Sequence, residues 1–304
     1  MKYLIIGTGG TGGAVGGFLA AAGYDVTFIA RGAHLVAMKE KGLVVKSGIK
    51  GEFCVANPKA CTAEDYCDTP DVVFVCVKGY SLDDAVALLS RCADEKTIII
   101  PILNIFGTGE VLQHRLPNLH VLDGCIYITS YVSGPGEITQ GGKLFTVVFG
   151  ERDGHIGPEL EQIAKELENS QIRPDLTHDI CRKCFQKYAL ISAMATAGAY
   201  YDATTGVVSS TPEMRETFIN LSREIDALAN AMGIPFEEDI VAKNLRLLDT
   251  AAPDTTASLQ KDLQKGKSSE IDGLIFEPVR LGQRYQVETP TFLMAAKKFG
   301  YNGY

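Results

Sequence analysis

The chain contains no run approaching the roughly 18 consecutive apolar residues that a membrane-spanning helix needs, so no transmembrane segment is expected. It also lacks a basic excess: 29 Lys plus Arg stand against 37 Asp plus Glu, a formal net charge of −8. Nucleic acid and anionic membrane surfaces, which are held through clustered positive charge, are thereby excluded as partners. Histidine is scarce. The five that occur (34, 114, 120, 155, 178) are scattered without ligand spacing, which leaves neither a metal site nor a histidine-based dehydrogenase dyad. Cys181 and Cys184 form a C-x-x-C, but no second pair at ligand spacing accompanies them, and idle or buried thiols are the expectation for the eight cysteines. The opening Met1 to Gly7 turns on glycine after a few apolar residues, too short for the core of a secretory signal, which predicts a reducing, cytoplasmic setting. No internal repeat, low-complexity tract or Pro/Gly/Ser-rich linker is present. Partners are therefore expected to be small molecules or a second copy of the chain in a homodimer.

What is present is an ordinary globular composition, with 46% hydrophobic and 22% charged residues in 304. At about 150 residues per domain, that length implies two domains. The first part alternates short β-rich runs with helical stretches, the pattern of βαβ units and a parallel sheet. Strands are predicted at Tyr3 to Ile6, Val26 to Ile29, Val72 to Val77, Thr97 to Pro101, His120 to Gly124 and Thr146 to Gly150. Helices are predicted at Thr11 to Ala22, Leu82 to Ser90, Gly109 to Arg115 and Glu159 to Glu168, with a last extended piece at Gln171 to Pro174. From about Thr177 the pattern is helical. Phe218, Leu221, Ile225, Leu228 and Met232 lie along one face, and Gly233 and Pro235 close that helix. Further helices are expected from Thr256 to Lys265, Ser269 to Tyr285 and Thr291 to Phe299. The fold class is α/β: a Rossmann-type domain over residues 1–175, then an all-helical domain over residues 176–304.

The strongest motif is Gly7-Thr8-Gly9-Gly10-Thr11-Gly12, a G-x-G-x-x-G that follows a strand and opens a helix. Gly7 serves the tight turn, Gly9 admits a pyrophosphate close to the backbone, and Gly12 lets helix and strand pack. The helix N-terminus then offers N–H groups and positive dipole to the phosphates. NAD-binding proteins usually carry an acid after the second strand; here the strand runs into Ala30-Arg31-Gly32. With no carboxylate to repel a 2′-phosphate and a guanidinium to bind it, NADP(H) is the expected cofactor.

These residues resemble the ketopantoate reductases (2-dehydropantoate 2-reductases). The resemblance covers nearly the whole chain: the glycine fingerprint, Arg31, Val75-Cys76-Val77-Lys78, Asn104 after the fourth strand, Lys187 in the second domain's first helix, and Ser258-Leu259 through Asp262 to Ser269-Glu270-Ile271-Asp272. Val279-Arg280-Leu281-Gly282 and Val287-Glu288-Thr289-Pro290 also look like that family's C-terminus. It implies that NADPH reduces the carbonyl of a 2-keto acid, ketopantoate to pantoate, in the supply of pantothenate and coenzyme A. It also implies that Lys187 is the general acid, an ammonium that cleft burial brings toward working pH. Glu270 would bind the substrate's terminal hydroxyl, Asn104 would place nicotinamide and substrate, Lys78 would face the cofactor, and Ser258 would help hold the substrate carboxylate. Blander roles suit the same residues: a surface lysine at 187 among basic neighbours, helix capping by Glu270 and Ser258, a loop cap at Asn104. The chain departs from the family at Ile191 and Ala195, substrate-facing positions where asparagines are usual, and at Ile275-Phe276 and Asn104-Ile105-Phe106-Gly107, where Asn-Gly pairs are usual. The pocket is expected to be more apolar for it. A related dehydrogenase acting on another 2-keto or 3-hydroxy acid, and a non-catalytic NADP-binding protein, remain open alternatives.

Overall fold

The structure is a computed structural model describing residues 1–303, and the chain divides into two compact units, Met1–Leu103 with Gly107–Ile180, and Asn104–Phe106 with Cys181–Tyr304. The first unit contains β1 (Lys2–Ile6), α1 (Gly10–Ala21), β2 (Asp25–Ile29), α2 (Gly32–Lys41), β3 (Leu43–Ser47), β4 (Gly51–Val55), β5 (Lys59–Cys61), β6 (Val72–Val75), α3 (Leu82–Cys92), β7 (Ile98–Pro101), α4 (Thr108–Arg115), β8 (His120–Val121), β9 (Asp123–Gly134), β10 (Glu137–Gly150), α5 (Pro158–Asn169) and β11 (Arg173–Leu176). Six of these strands form a parallel sheet in the order β5-β2-β1-β6-β7-β8. That is the doubly wound order, with the chain crossing from one half to the other after β5. Its central strands are buried on both faces, as the continuous runs Leu4-Ile5-Ile6, Val72-Val73-Phe74-Val75 and Ile98-Ile99-Ile100 require.

A second sheet, β11-β10-β3-β4 with β9 paired to β10, completes the unit. The expected strand His120 to Gly124 is in fact two: β8 ends at Val121, and β9 leaves for the second sheet. The expected strand at Thr146 to Gly150 is the end of β10, whose pairing with β9 runs from Glu137↔Gly134 to Gly150↔Asp123, with an irregularity between Gly141 and Phe145. The segment from residue 32 to 61 supplies α2, β3, β4 and β5, elements the sequence pattern had not marked. The expected break after 175 also moves. Thr177 N–H bonds the Phe149 carbonyl at 3.2 Å and extends the register of β11 on β10, so the first unit continues to Ile180.

α1 lies on the parallel sheet through glycine. A Cβ at Gly16 would stand 2.4 Å from the Phe28 ring and 2.7 Å from Ile5, so only a bare Cα allows that approach.

The second unit is helical: α6 (Ile180–Tyr201), α7 (Thr205–Ser210), α8 (Pro212–Ala231), α9 (Ile240–Thr250), α10 (Ser258–Gln264), α11 (Glu277–Tyr285) and α12 (Pro290–Lys298). On α8 the residues Phe218, Leu221, Ile225 and Leu228 are fully buried, and Gly233 adopts φ +75° just past the helix. α12 is capped from α8: the buried Glu224 carboxylate accepts the Thr291 and Phe292 N–H groups at 2.7 and 3.0 Å. Between Glu270 and α11 the helix expected from Ser269 is widened into a π-helical turn, Asp272–Phe276. No described helix is long and apolar enough to cross a membrane.

Gly16→Ala should lower stability by about 1–3 kcal/mol, the usual cost of overpacking a filled core, as read from urea denaturation. An unchanged midpoint would show that α1 has room to withdraw from the sheet.

Candidate active site

Two clusters carry chemistry, one in each unit. In the first, β1 runs into Gly7, which turns the chain at φ +94°. Thr8 donates both its N–H (3.1 Å) and its hydroxyl (2.8 Å) to the Ile29 carbonyl at the end of β2, which fixes the loop between the two strand ends. Gly9 is the N-cap of α1, and a Cβ there would meet nothing within 4 Å, so open space lies before the helix. A Cβ at Gly12 would fall 2.3 Å from the Gly7 carbonyl oxygen, which makes glycine obligatory for the turn. The first intrahelical bond is Gly13 N–H to the Gly9 carbonyl. The N–H groups of Gly10, Thr11 and Gly12 thus have no intrahelical acceptor, and the first turn carries no acid. Cys76 lies beneath the turn, against Gly7 and Gly12; burial pushes its thiol well above its usual range, so it adds no negative charge there. Gly10 has a further role that the sequence motif does not reveal. Its Cα abuts β9, where a Cβ would stand 2.7 Å from the Ser130 carbonyl and the Tyr131 Cα.

Arg31 follows β2 as the N-cap of α2, with extended backbone and an exposed side chain. One turn on, His34 accepts the Gly136 N–H on Nδ1 at 3.0 Å, and burial lowers its pKa, so Arg31 supplies the positive charge at that end of α2. Lys78, three residues past β6, is half-buried at the head of a short 3₁₀ turn, Gly79–Ser81. The fingerprint, the acid-free helix terminus and the guanidinium after β2 fit a dinucleotide, and a reduced nicotinamide bound there would supply hydride.

The second cluster centres on Lys187 in α6. Its side chain is only 6% exposed, not the surface lysine that basic neighbours suggest, and its Nζ donates to Asn104 Oδ1 at 2.8 Å. Asn104 was expected to belong to the first domain. It packs instead with the second unit, because Asn104 is bonded to α6, Ile105 is seated on Gly273, and the Phe106 ring stands edge-on to Phe185 with centroids 4.6 Å apart. Glu270, 5% exposed, lies two residues before the π-helical turn and accepts the Leu274 N–H on its backbone carbonyl at 3.0 Å. Arg280 of α11 braces that turn, with two N–H groups on the Asp272 carboxylate at 2.9 Å each and Nε on Glu277 at 2.6 Å. Ile191 and Ala195 follow Lys187 by four and eight residues, the spacing of one helix face; Ile191 is half-buried and Ala195 is buried in the helical core. Ser258 is the first residue of α10 and exposed. That helix start is closed by Gln260, whose Oε1 accepts the Ala257 N–H while Nε2 donates to the Gly198 and Ala203 carbonyls. The structure therefore joins Asn104 to Lys187 and leaves Ser258 on the helix start. Tyr188, which the sequence reading passed over, donates its hydroxyl to the Gly273 carbonyl at 2.7 Å. Its signal is a phenol opening the apolar run Ala189-Leu190-Ile191, since buried tyrosines usually find an acceptor.

The family profile described as Ketopantoate reductase PanE/ApbA matches residues 3–154, and its C-terminal counterpart matches residues 179–299. The chain belongs to the ketopantoate reductase family. Among curated relatives, the 2-dehydropantoate 2-reductase of Archaeoglobus fulgidus is 27% identical over 291 residues, covering 94% of this chain and 92% of that protein. The crystal structure of 2-dehydropantoate 2-reductase from Methylococcus capsulatus superposes with a TM-score of 0.88 at 26% identity, covering 98% of this chain and 96% of the other. A D-mandelate dehydrogenase in ternary complex with NADH and anilino(oxo)acetate has the same fold, with a TM-score of 0.88 at 20% identity, covering 98% and 96% of the two chains. The family's members are oxidoreductases acting at CH–OH groups, with NAD(P)H bound on a Rossmann fold.

Gly9→Ala should leave the melting temperature unchanged, since its methyl enters open space, yet weaken dinucleotide binding tenfold or more, about 1.4 kcal/mol, by calorimetric titration. Gly12→Ala should unfold the loop and cost stability as well. Equal dinucleotide affinity for wild type and Gly9→Ala would contradict this placement of the phosphates.

Proposed function

We propose that this protein is an NADPH-dependent 2-oxo acid reductase, with ketopantoate, reduced to pantoate, as the substrate that family membership supports. The observation that carries the reading is a buried ammonium, Lys187, hydrogen-bonded to a side-chain amide in a chain whose other unit bears a dinucleotide fingerprint. A reduced nicotinamide, with its phosphates on the α1 terminus and Arg31, would supply hydride to C2 of the oxo acid, whose oxygen would gather negative charge as the C=O π bond opens. Lys187 stabilises that oxygen and gives it a proton from Nζ, leaving a neutral amine that recovers its proton from solvent. Asn104 Oδ1 takes one of the three N–H bonds of Lys187, which fixes the direction of the other two. The Glu270 carboxylate accepts a hydroxyl on the substrate's tail, and Ser258 contributes a hydroxyl toward its carboxylate. Ile191 and Ala195 form the apolar side of the α6 face. Lys78 faces the cofactor. For the choice of cofactor, support comes from Arg31: exposed at the end of β2, with no acid beside it in sequence, its planar fork suits a 2′-phosphate.

Four outcomes check the reading. NADPH should be consumed on addition of ketopantoate, followed by absorbance. Lys187→Ala should lower kcat by about 10² to 10⁴, the worth of a positioned acid, with a smaller change in KM; an undiminished kcat would remove Lys187 from the chemistry. Glu270→Ala should raise KM for ketopantoate but alter little with the analogue lacking the terminal hydroxyl. Arg31→Ala should weaken NADPH by about 1.5–3 kcal/mol and leave NADH nearly unaffected, whereas equal losses would show that Arg31 does not read the phosphate.

A further inference from the structure

The two partners of the Lys187–Asn104 hydrogen bond each have a sequence neighbour that reaches the same residue. Tyr188, next to Lys187, donates its hydroxyl to the Gly273 carbonyl at 2.7 Å. Ile105, next to Asn104, lies against the bare Cα of Gly273, where a Cβ would stand 2.5 Å from Cδ1, 2.6 Å from Cγ1 and 3.0 Å from Cγ2. Gly273 itself is the second residue of the π-helical turn that begins two residues after Glu270. The Glu277 N–H closes on the Asp272 carbonyl, and Pro278, next in line, has no N–H for the Gly273 carbonyl; the buried Tyr188 phenol, 2% exposed, bonds it instead. The ring of Phe106 extends the contact onto Phe185 and Tyr188, at centroid distances of 4.6 and 6.1 Å.

We propose that Gly273 is a positioning residue for Lys187: its carbonyl holds α6 through Tyr188, and its missing side chain seats Ile105 so that Asn104 Oδ1 stays on the Lys187 ammonium. The assignment rests on the reading of Lys187 as proton donor, and it adds to that reading a mechanical cause for the lysine's orientation. It also gives the apolar residues at 105 and 106 a task. They anchor the Asn104 loop on the helical unit by packing, with Ile105 occupying what any side chain at position 273 would need. Because Ile105 is branched at Cβ, turning χ1 exchanges one branch for another and does not clear the space. A methyl at 273 therefore moves the loop rather than a side-chain tip.

The test is a cycle of Gly273→Ala, Ile105→Ala and the double variant, with Tyr188→Phe as a variant that removes one hydroxyl and no volume. Gly273→Ala should lower kcat tenfold or more with KM for NADPH unchanged. The alkaline limb of its pH–rate profile should move to lower pH, because an ammonium that has lost an acceptor gives up its proton more readily. The double variant should recover most of the loss, being faster than the product of the two single effects, and Tyr188→Phe should repeat the shifted limb in milder form. A second readout does not depend on turnover: acylation of Lys187 by an amine-directed anhydride at fixed pH, followed by peptide mass spectrometry, should quicken in Gly273→Ala and slow again in the double variant. Additive single effects with an unmoved pH limb, or equal labelling of Lys187 in all four proteins, would overturn the proposal. If Lys187→Ala kept full kcat, the reading of Lys187 as the acid would fall, while the labelling cycle would still decide whether Gly273 positions it.

Discussion

An ammonium removed from water must find acceptors inside the protein, and the second unit is arranged around that constraint. Burying a charge without partners costs several kcal/mol or more, so the 6%-exposed Lys187 requires polar groups brought to it. One of these, Asn104, lies on a three-residue segment between β7 and α4, elements of the first unit's sheet domain, yet it folds with the helices. The departure of the chain from β7 therefore serves the lysine, and Ile105 and Phe106 hold it there by apolar contact. The π-helical turn after Glu270 meets the residue next to the lysine. It turns a carbonyl toward Tyr188 and is braced by the Arg280 fork on Asp272.

The first unit solves a different problem, the binding of phosphate by uncharged backbone. Gly7 and Gly12 bring strand and helix within a distance no side chain permits, so the helix terminus is presented at the carboxyl ends of β1 and β2. The thiol beneath it stays neutral, and no acid occupies the first turn. The positive end of α1 is thus left uncompensated for an anion.

The parts legible in the sequence are those set by local rules. Glycines in a strand–turn–helix context, buried apolar strands and the α8 stripe each follow from periodicity or from φ, and the structure has them. What was illegible depended on tertiary packing. β9 and β10 were read only at their ends, because Ser133-Gly134-Pro135-Gly136 and Gly141-Gly142 look like loop, and exposed Tyr131, Val132 and Leu144 break the alternation of a buried face. The strands β3 to β5 are short, between three and five residues, and β4 is largely exposed and β5 at most half-buried, which leaves little hydrophobic signal. Asn104 reads as part of the first domain by its position after β7 yet packs with the second unit, since no pattern in one strand's sequence says that its last loop will pack elsewhere. Ser269 to Tyr285 reads as one helix because nothing in propensity distinguishes a π-helical turn from an α-helix.

Deuterium transfer decides whether this chain carries hydride from NADPH to an oxo acid. The enzyme is incubated with NADPH carrying deuterium at nicotinamide C4, together with ketopantoate and the analogue lacking its hydroxyl, and the acids are read by mass spectrometry. A 2-hydroxy acid one mass unit heavier, with the label at C2, is the predicted result for at least one of them. Unlabelled hydroxy acid, or intact oxo acids beside a protein that calorimetry shows to bind NADPH, would contradict the account.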